Sequence, residues 1–137
     1  MFGPPRFHNV AGMTWHELHQ RMDFMAEVIG RANENPESAL DFSGERLRVE
    51  RLFGGEEGLL LSLQHRWTTA LAAKLDQAAE DDIPVEQARA ELAARLPGLR
   101  SLLDEAARRS VRVRGRQHDE RHLLELHADA SQRQTVA

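Results

Sequence analysis

The sequence predicts an all-α protein: a compact bundle of four to five helices, mostly antiparallel, with a fourth helix that is kinked or split at a proline. Two observations predict it. Apolar residues recur at three- and four-residue spacings through three long segments, the period of a helix with one buried face. The only strand-like alternation, Leu47, Val49, Arg51 and Phe53, has no convincing partner except Val111 and Val113, and an isolated strand cannot satisfy its backbone.

The first helix starts at Thr14, where Thr14 and Glu17 form a capping box. In that motif the hydroxyl accepts from the Glu17 amide while the carboxylate reaches back to the Thr14 amide. Met13 and Leu18 occupy the positions of a hydrophobic staple. Trp15, Leu18, Met22, Met25, Ile29 and Ala32 follow in an unbroken 3-4-3-4-3 series, and Phe24 and Val28 widen the stripe. Asn33-Glu34-Asn35-Pro36 ends the helix. Residues 36–53 are read as helix broken near Ser43-Gly44, with the question open whether the segment is helical throughout, and Gly54-Gly55 closes it.

Residues 56–80 make the central helix. Glu56 and Glu57 favour the positive end of its dipole, and Leu60, Leu63, Trp67, Leu71, Leu75 and Ala78 form the inward stripe, joined by Leu59 and Ala70. Glu80-Asp81-Asp82 is assigned to the start of the next helix, because carboxylates oppose the dipole at a C-terminus, and Pro84 to its first turn. Val85, Ala88, Leu92, Leu96, Leu99, Leu103 and Ala106 keep one phase across Pro97-Gly98, which implies either one kinked helix or two meeting at Leu96. A basic connector, residues 110–117, leads to a last helix over residues 119–130, whose docking on the bundle stays open.

The chain has 137 residues, enough for one domain, placed at residues 14–130 between a flexible tail at 1–13 and a frayed one at 131–137. The absence of cysteine excludes disulfides, iron–sulfur clusters, zinc ribbons and thiol nucleophiles. A formal charge of -4 argues against a generally basic nucleic-acid or membrane binder. Residues 1–13 lack the continuous apolar stretch of a signal peptide, and no apolar run approaches a bilayer span, so the expectation is a cytoplasmic protein without membrane contact.

Three constellations carry chemistry. Arg108, Arg109, Arg112, Arg114 and Arg116 place five guanidinium groups in nine residues without an acid, the place where nucleic acid or another anion would bind. The acid-rich stretch 76–91 is a candidate counterpart, within the chain or across a dimer. His16 and His19, with His118 and His122, stand three and four apart on helices and, with Glu17, Asp119 or Glu120, suit a divalent metal. Their spacing departs from both His-Glu-x-x-His and paired Glu-x-x-His motifs. Trp15 and Trp67 are read as core or interface anchors.

Phe53-Gly54-Gly55-Glu56-Glu57-Gly58-Leu59-Leu60 resembles the turn after the recognition helix of TetR-type repressors. The resemblance spans these eight residues alone; residues 39–52 lack a helix-turn-helix and Glu56 replaces a basic residue, so no functional residue follows from it. No Walker loop, dinucleotide fingerprint or Gly-x-Ser-x-Gly elbow occurs. The expectation is a non-catalytic protein acting by protein–protein interaction or self-association, a homodimer being the simplest case and an unknown protein the other. Nucleic-acid-associated regulation through the arginines is the alternative, and a histidine–carboxylate metal bundle the minority one.

Overall fold

The computed structural model describes residues 14–136, which are all-helical with no strand among them. Seven helices replace the four to five expected: α1 (Trp15–Ala32), α2 (Pro36–Ala39), α3 (Arg46–Phe53), α4 (Glu56–Glu80), α5 (Val85–Arg95), α6 (Pro97–Arg109) and α7 (Val111–Val136). The count rises because residues 36–53 fold as two short helices and because the proline splits the fourth helix. The expected tail at 1–13, and with it the Met13 half of the staple, lies outside the described residues.

Thr14 caps α1 by accepting from the Glu17 amide at 3.1 Å. The Glu17 carboxylate accepts from the Thr14 hydroxyl at 3.3 Å, in place of the backbone amide that a capping box would supply. Asn35 caps α2 by accepting from the amides of Glu37 and Ser38. Gly54, at φ 76°, closes α3 in the left-handed conformation that glycine adopts without steric cost. A Cβ at Gly58 would run into the Phe53 carbonyl, so the tight elbow between α3 and α4 requires glycine there.

The α4 stripe is the core. Leu59, Leu60, Leu63, Trp67, Leu71, Leu75 and Ala78 are all buried, and α3, α5, α6 and α7 pack around the helix. Its C-terminus corrects one expectation. Asp81 caps α4, Asp82 takes φ 57°, and the Ile83 amide donates to the Ala78 carbonyl at 2.9 Å, a Schellman closure with aspartate in the usual glycine position. The acidic run therefore ends α4 against its dipole, and α5 begins after Pro84. Of the two readings at Pro97, the split is found: Leu96 (φ -123°, ψ 57°) separates α5 from α6. Gly98 then lets α6 approach α1, since a Cβ there would sit 2.7 Å from the Ile29 carbonyl oxygen.

The connector at 110–117 is a second correction, because it is helical. Ser110 caps α7 by accepting from the Val113 amide at 3.2 Å and donating to Glu57 at 3.1 Å. From there α7 runs as 26 residues to Val136 and packs on α4, α5 and α6, so the last helix docks. Its inward stripe is Val113, Gln117, Glu120 and Leu124, at spacings of four, three and four. Among the described residues no helix is long and apolar enough to cross a membrane.

Candidate functional site

The most unusual chemistry lies where α4, α5, α6 and α7 meet. Trp67 sits at the inward centre of α4, and the α7 spacing aims Glu120 at it. The Trp67 indole N–H donates to Glu120 Oε1 at 2.7 Å, and Arg89 Nε of α5 donates to Oε2 at 2.7 Å. Arg100 of α6 lays its guanidinium over the indole, 4.5 Å from the ring centroid, and holds Asp104 at 3.0 Å and the Glu120 carboxylate at 3.9 Å. Arg89 approaches the same ring at 5.7 Å.

The result is a carboxylate with its side chain 5% exposed, neutralised by two arginines and hydrogen-bonded by a ring N–H. A charge removed from water this far is sustained only when paired and hydrogen-bonded, which both Glu120 oxygens are. The centre is not fully satisfied. Arg100 Nε and Nη1 and Gln64 Oε1 are buried without a hydrogen-bond partner.

Two clefts border this centre and share Glu120 as lining. One, of about 300 Å³, lies between α4 and α7 and includes Gln64, Arg116 and Asp119. The other, of about 420 Å³, lies among α5, α6 and α7 and includes Arg89, Arg100 and Arg121.

The arginines of 108–116 are spread over the end of α6 and the start of α7, and most are engaged at home. Arg108 pairs with Glu105 at 3.1 Å, Arg109 reaches Glu56 at 3.9 Å and Glu105 at 4.0 Å, and Arg112 reaches Glu57 at 3.9 Å. Arg114 donates to the Ala107 carbonyl at 2.6 Å. Arg116 alone of the five has no partner among the described residues. The acids that meet this stretch are thus Glu56, Glu57 and Glu105, not those of 76–91. Within that acidic stretch Glu91 holds Lys74 at 2.9 Å.

His16, His19, His118 and His122 are all exposed, His19 with its Nδ1 2.9 Å from the Trp15 carbonyl oxygen and His122 3.9 Å from Glu125. Among the described residues no three His, Asp or Glu side chains gather as a metal site. Glu120, one of the oxygen ligands considered, is committed to Trp67 and Arg89 instead.

The two tryptophans part company. Trp67 is fully buried, as a core anchor should be, whereas Trp15 is 55% exposed, which removes the core reading for it. The reason is rotational: Phe24, Val28 and Ala32 face the core, so Trp15 and Met22 fall on the outer edge of the wide stripe, Met22 with 48% exposure.

The Trp67–Glu120–Arg89–Arg100 centre was missed in the sequence because its members lie on four helices. A signal existed, since Gln117 and Glu120 stand at apolar positions of a helical series that begins at Val113 and ends at Leu124. Comparison of the chain with family models, with curated proteins and with solved structures finds no match.

Proposed function

We propose that this protein is a non-catalytic helical binding module that acts by associating with another macromolecule, in the simplest case a second copy of itself, through the outer edge of α1. The observation that carries this reading is the exposure of Trp15. A large aromatic held in water is the informative departure from ordinary burial, and tryptophan is among the residues most enriched where interfaces concentrate their energy. Met22 stands seven positions on, and positions seven apart on a helix lie within about 20° of each other. Leu18 and Ile29 add half-buried apolar surface to the same edge. Thr14 and Glu17 brace the end of the helix that displays Trp15, so the indole is presented from a rigid element.

Sedimentation velocity over a wide concentration range tests the proposal. The wild-type chain is expected to gain mass as concentration rises, and Trp15→Glu with Met22→Glu to stay monomeric with the same helical content. A wild-type chain that stays monomeric at high micromolar concentration and recovers no macromolecular partner refutes it.

A second reading, nucleic-acid association through the arginine stretch, is favoured by one observation: the side chains of Arg108 and Arg112 are each 73% exposed despite their ion pairs. Phosphate contacts strengthen as salt falls. Affinity at low salt that is lost in Arg112→Glu with Arg114→Glu, without loss of fold, would select this reading over the first.

A further inference from the structure

We infer that the cleft between α4 and α7 binds a small zwitterion carrying a primary ammonium and a carboxylate, such as a free amino acid or an aminoalkyl acid. The inference is independent of the association surface on α1.

It begins with Gln64. The residue is 1% exposed and lines the cleft, yet its Oε1 has no hydrogen-bond partner. Its amide nitrogen donates to the Thr68 hydroxyl at 3.4 Å, and that hydroxyl donates onward to the Gln64 backbone carbonyl at 3.0 Å. Turning the amide over does not help. The Thr68 proton is already committed, so either orientation leaves one amide atom unmet. A donor from outside the chain resolves this in the orientation found.

The second observation is on α7. Arg116 and Asp119 stand three apart, where opposite charges ordinarily pair, and both line the cleft. Neither pairs with the other, and neither has any other partner among the described residues. The cleft therefore sets an unpaired guanidinium and an unpaired carboxylate beside the buried, unmet amide of Gln64 in its wall, with His65 exposed on the same lining. Glu120 adds negative charge to the lining, although both its oxygens are engaged by Trp67 and Arg89. Leu61 and Leu123 supply apolar wall.

These features specify a ligand. An ammonium has three donors and no acceptor, which suits Gln64 Oε1 and the Asp119 carboxylate together. A carboxylate suits the planar fork of Arg116, which can hold it through two parallel hydrogen bonds. A cleft of about 300 Å³ is at the small end of ligand sites, matching a molecule of a few carbons. A simple anion meets the acids, and a simple amine leaves Arg116 unused.

The test is a titration of the ¹⁵N-labelled full chain with γ-aminobutyrate, butylamine and butyrate, read by amide shifts. The zwitterion is expected to give saturable shifts centred on residues 61–68 and 116–123, with a dissociation constant on the order of 1 mM or tighter. Butylamine is expected to bind about tenfold more weakly, and butyrate not at all. Gln64→Leu, Arg116→Gln and Asp119→Asn are each expected to weaken the zwitterion by about tenfold. Arg116→Gln should leave butylamine unaffected. Arg116 and Asp119 are exposed, so their variants report on the site even if Gln64→Leu perturbs the fold. Absence of saturable shifts with γ-aminobutyrate, equal binding of butyrate or butylamine, or full affinity in Arg116→Gln and Asp119→Asn overturns the inference.

Discussion

Replacing Glu120 by leucine removes the charge on which the polar centre is built, and the structure sets the cost. The Trp67 indole N–H, fully buried, loses its acceptor, an unmet donor worth about 1–3 kcal/mol. Arg89 also loses its partner, but its side chain is 32% exposed and can turn to water, so its share is small. Arg100 is 11% exposed and cannot turn as freely, although it keeps Asp104 at 3.0 Å. The sum is about 3 kcal/mol, the lower end for breaking a buried ion pair by removing one partner.

Removing the arginines as well should reverse much of this loss. A triple variant, Glu120→Leu with Arg89→Leu and Arg100→Met, leaves no buried charge unpaired, since the freed Asp104 is 64% exposed, and retains apolar contact with the Trp67 ring; it is expected to recover about 2 kcal/mol of the deficit. Urea unfolding followed by far-ultraviolet circular dichroism measures both variants. A loss below about 1 kcal/mol in Glu120→Leu, or a triple variant less stable than the single one, would refute the reasoning.

Three further outcomes follow from the geometry. Gly58→Ala pushes a methyl into the Phe53 carbonyl and should cost about 2 kcal/mol, seen as a lowered melting temperature; an unchanged melting temperature would mean that the α3–α4 elbow is not tight. Asp82→Gly relieves a left-handed aspartate and removes a carboxylate from the C-terminal end of α4, so it should stabilise by about 1 kcal/mol in the same assay, and a loss would contradict the Schellman reading. Arg31 grips Glu45 through two hydrogen bonds of 2.7 Å, which hold the Glu45 carboxyl below the usual carboxylate range. A lowered native value stabilises above the unfolded one and is lost as pH falls through the native one. Glu45→Gln should therefore cost up to about 1 kcal/mol at neutral pH, and the difference should begin to shrink below the unfolded carboxylate value of about 4.3 and close once pH falls below the lowered native one. A gap that persists in acid would show that the pair does not act through charge.

How far the sequence could be read depended on whether each helix buries apolar or polar side chains. Residues 56–80 were legible end to end, because every inward position from Leu59 to Ala78 except Gln64 is apolar. The central break at Leu96 was legible as one of two options, since proline forbids a regular helix there without saying how far the chain bends.

Two errors share one cause. The start of α7 was taken for a connector because its first turn is basic, against the dipole, and because Gln117 interrupts its stripe. The run Glu80-Asp81-Asp82, which closes α4, was assigned to the start of the next helix because its acids also oppose the dipole. In both places tertiary pairing or a left-handed turn outweighs a local preference worth about 1 kcal/mol or less. The rotation of α1 was hidden for a different reason. A stripe as wide as Phe24 to Trp15 has two edges, and only packing against α2, α3 and α6 decides which one faces water.

Most of the candidate site lay beyond sequence reasoning. Trp67 was identified as a core or interface anchor and Arg116 as one of five arginines of an anion-binding stretch, but the contacts between Glu120, Arg89 and Arg100 join residues far apart in the chain. Only a polar residue on an apolar stripe announces such a centre.

The association surface on α1 is the central claim, and the lack of cysteine makes it directly measurable. A single Ala26→Cys variant places the chain's only thiol at an exposed position beside Met22, and Asp129→Cys places one on exposed α7 as a control. Under mild oxidation Ala26→Cys is predicted to form a covalent dimer rapidly while Asp129→Cys remains monomeric, and Trp15→Glu added to Ala26→Cys is predicted to slow the reaction to the control rate. Equal, slow rates for Ala26→Cys and Asp129→Cys would contradict self-association through α1.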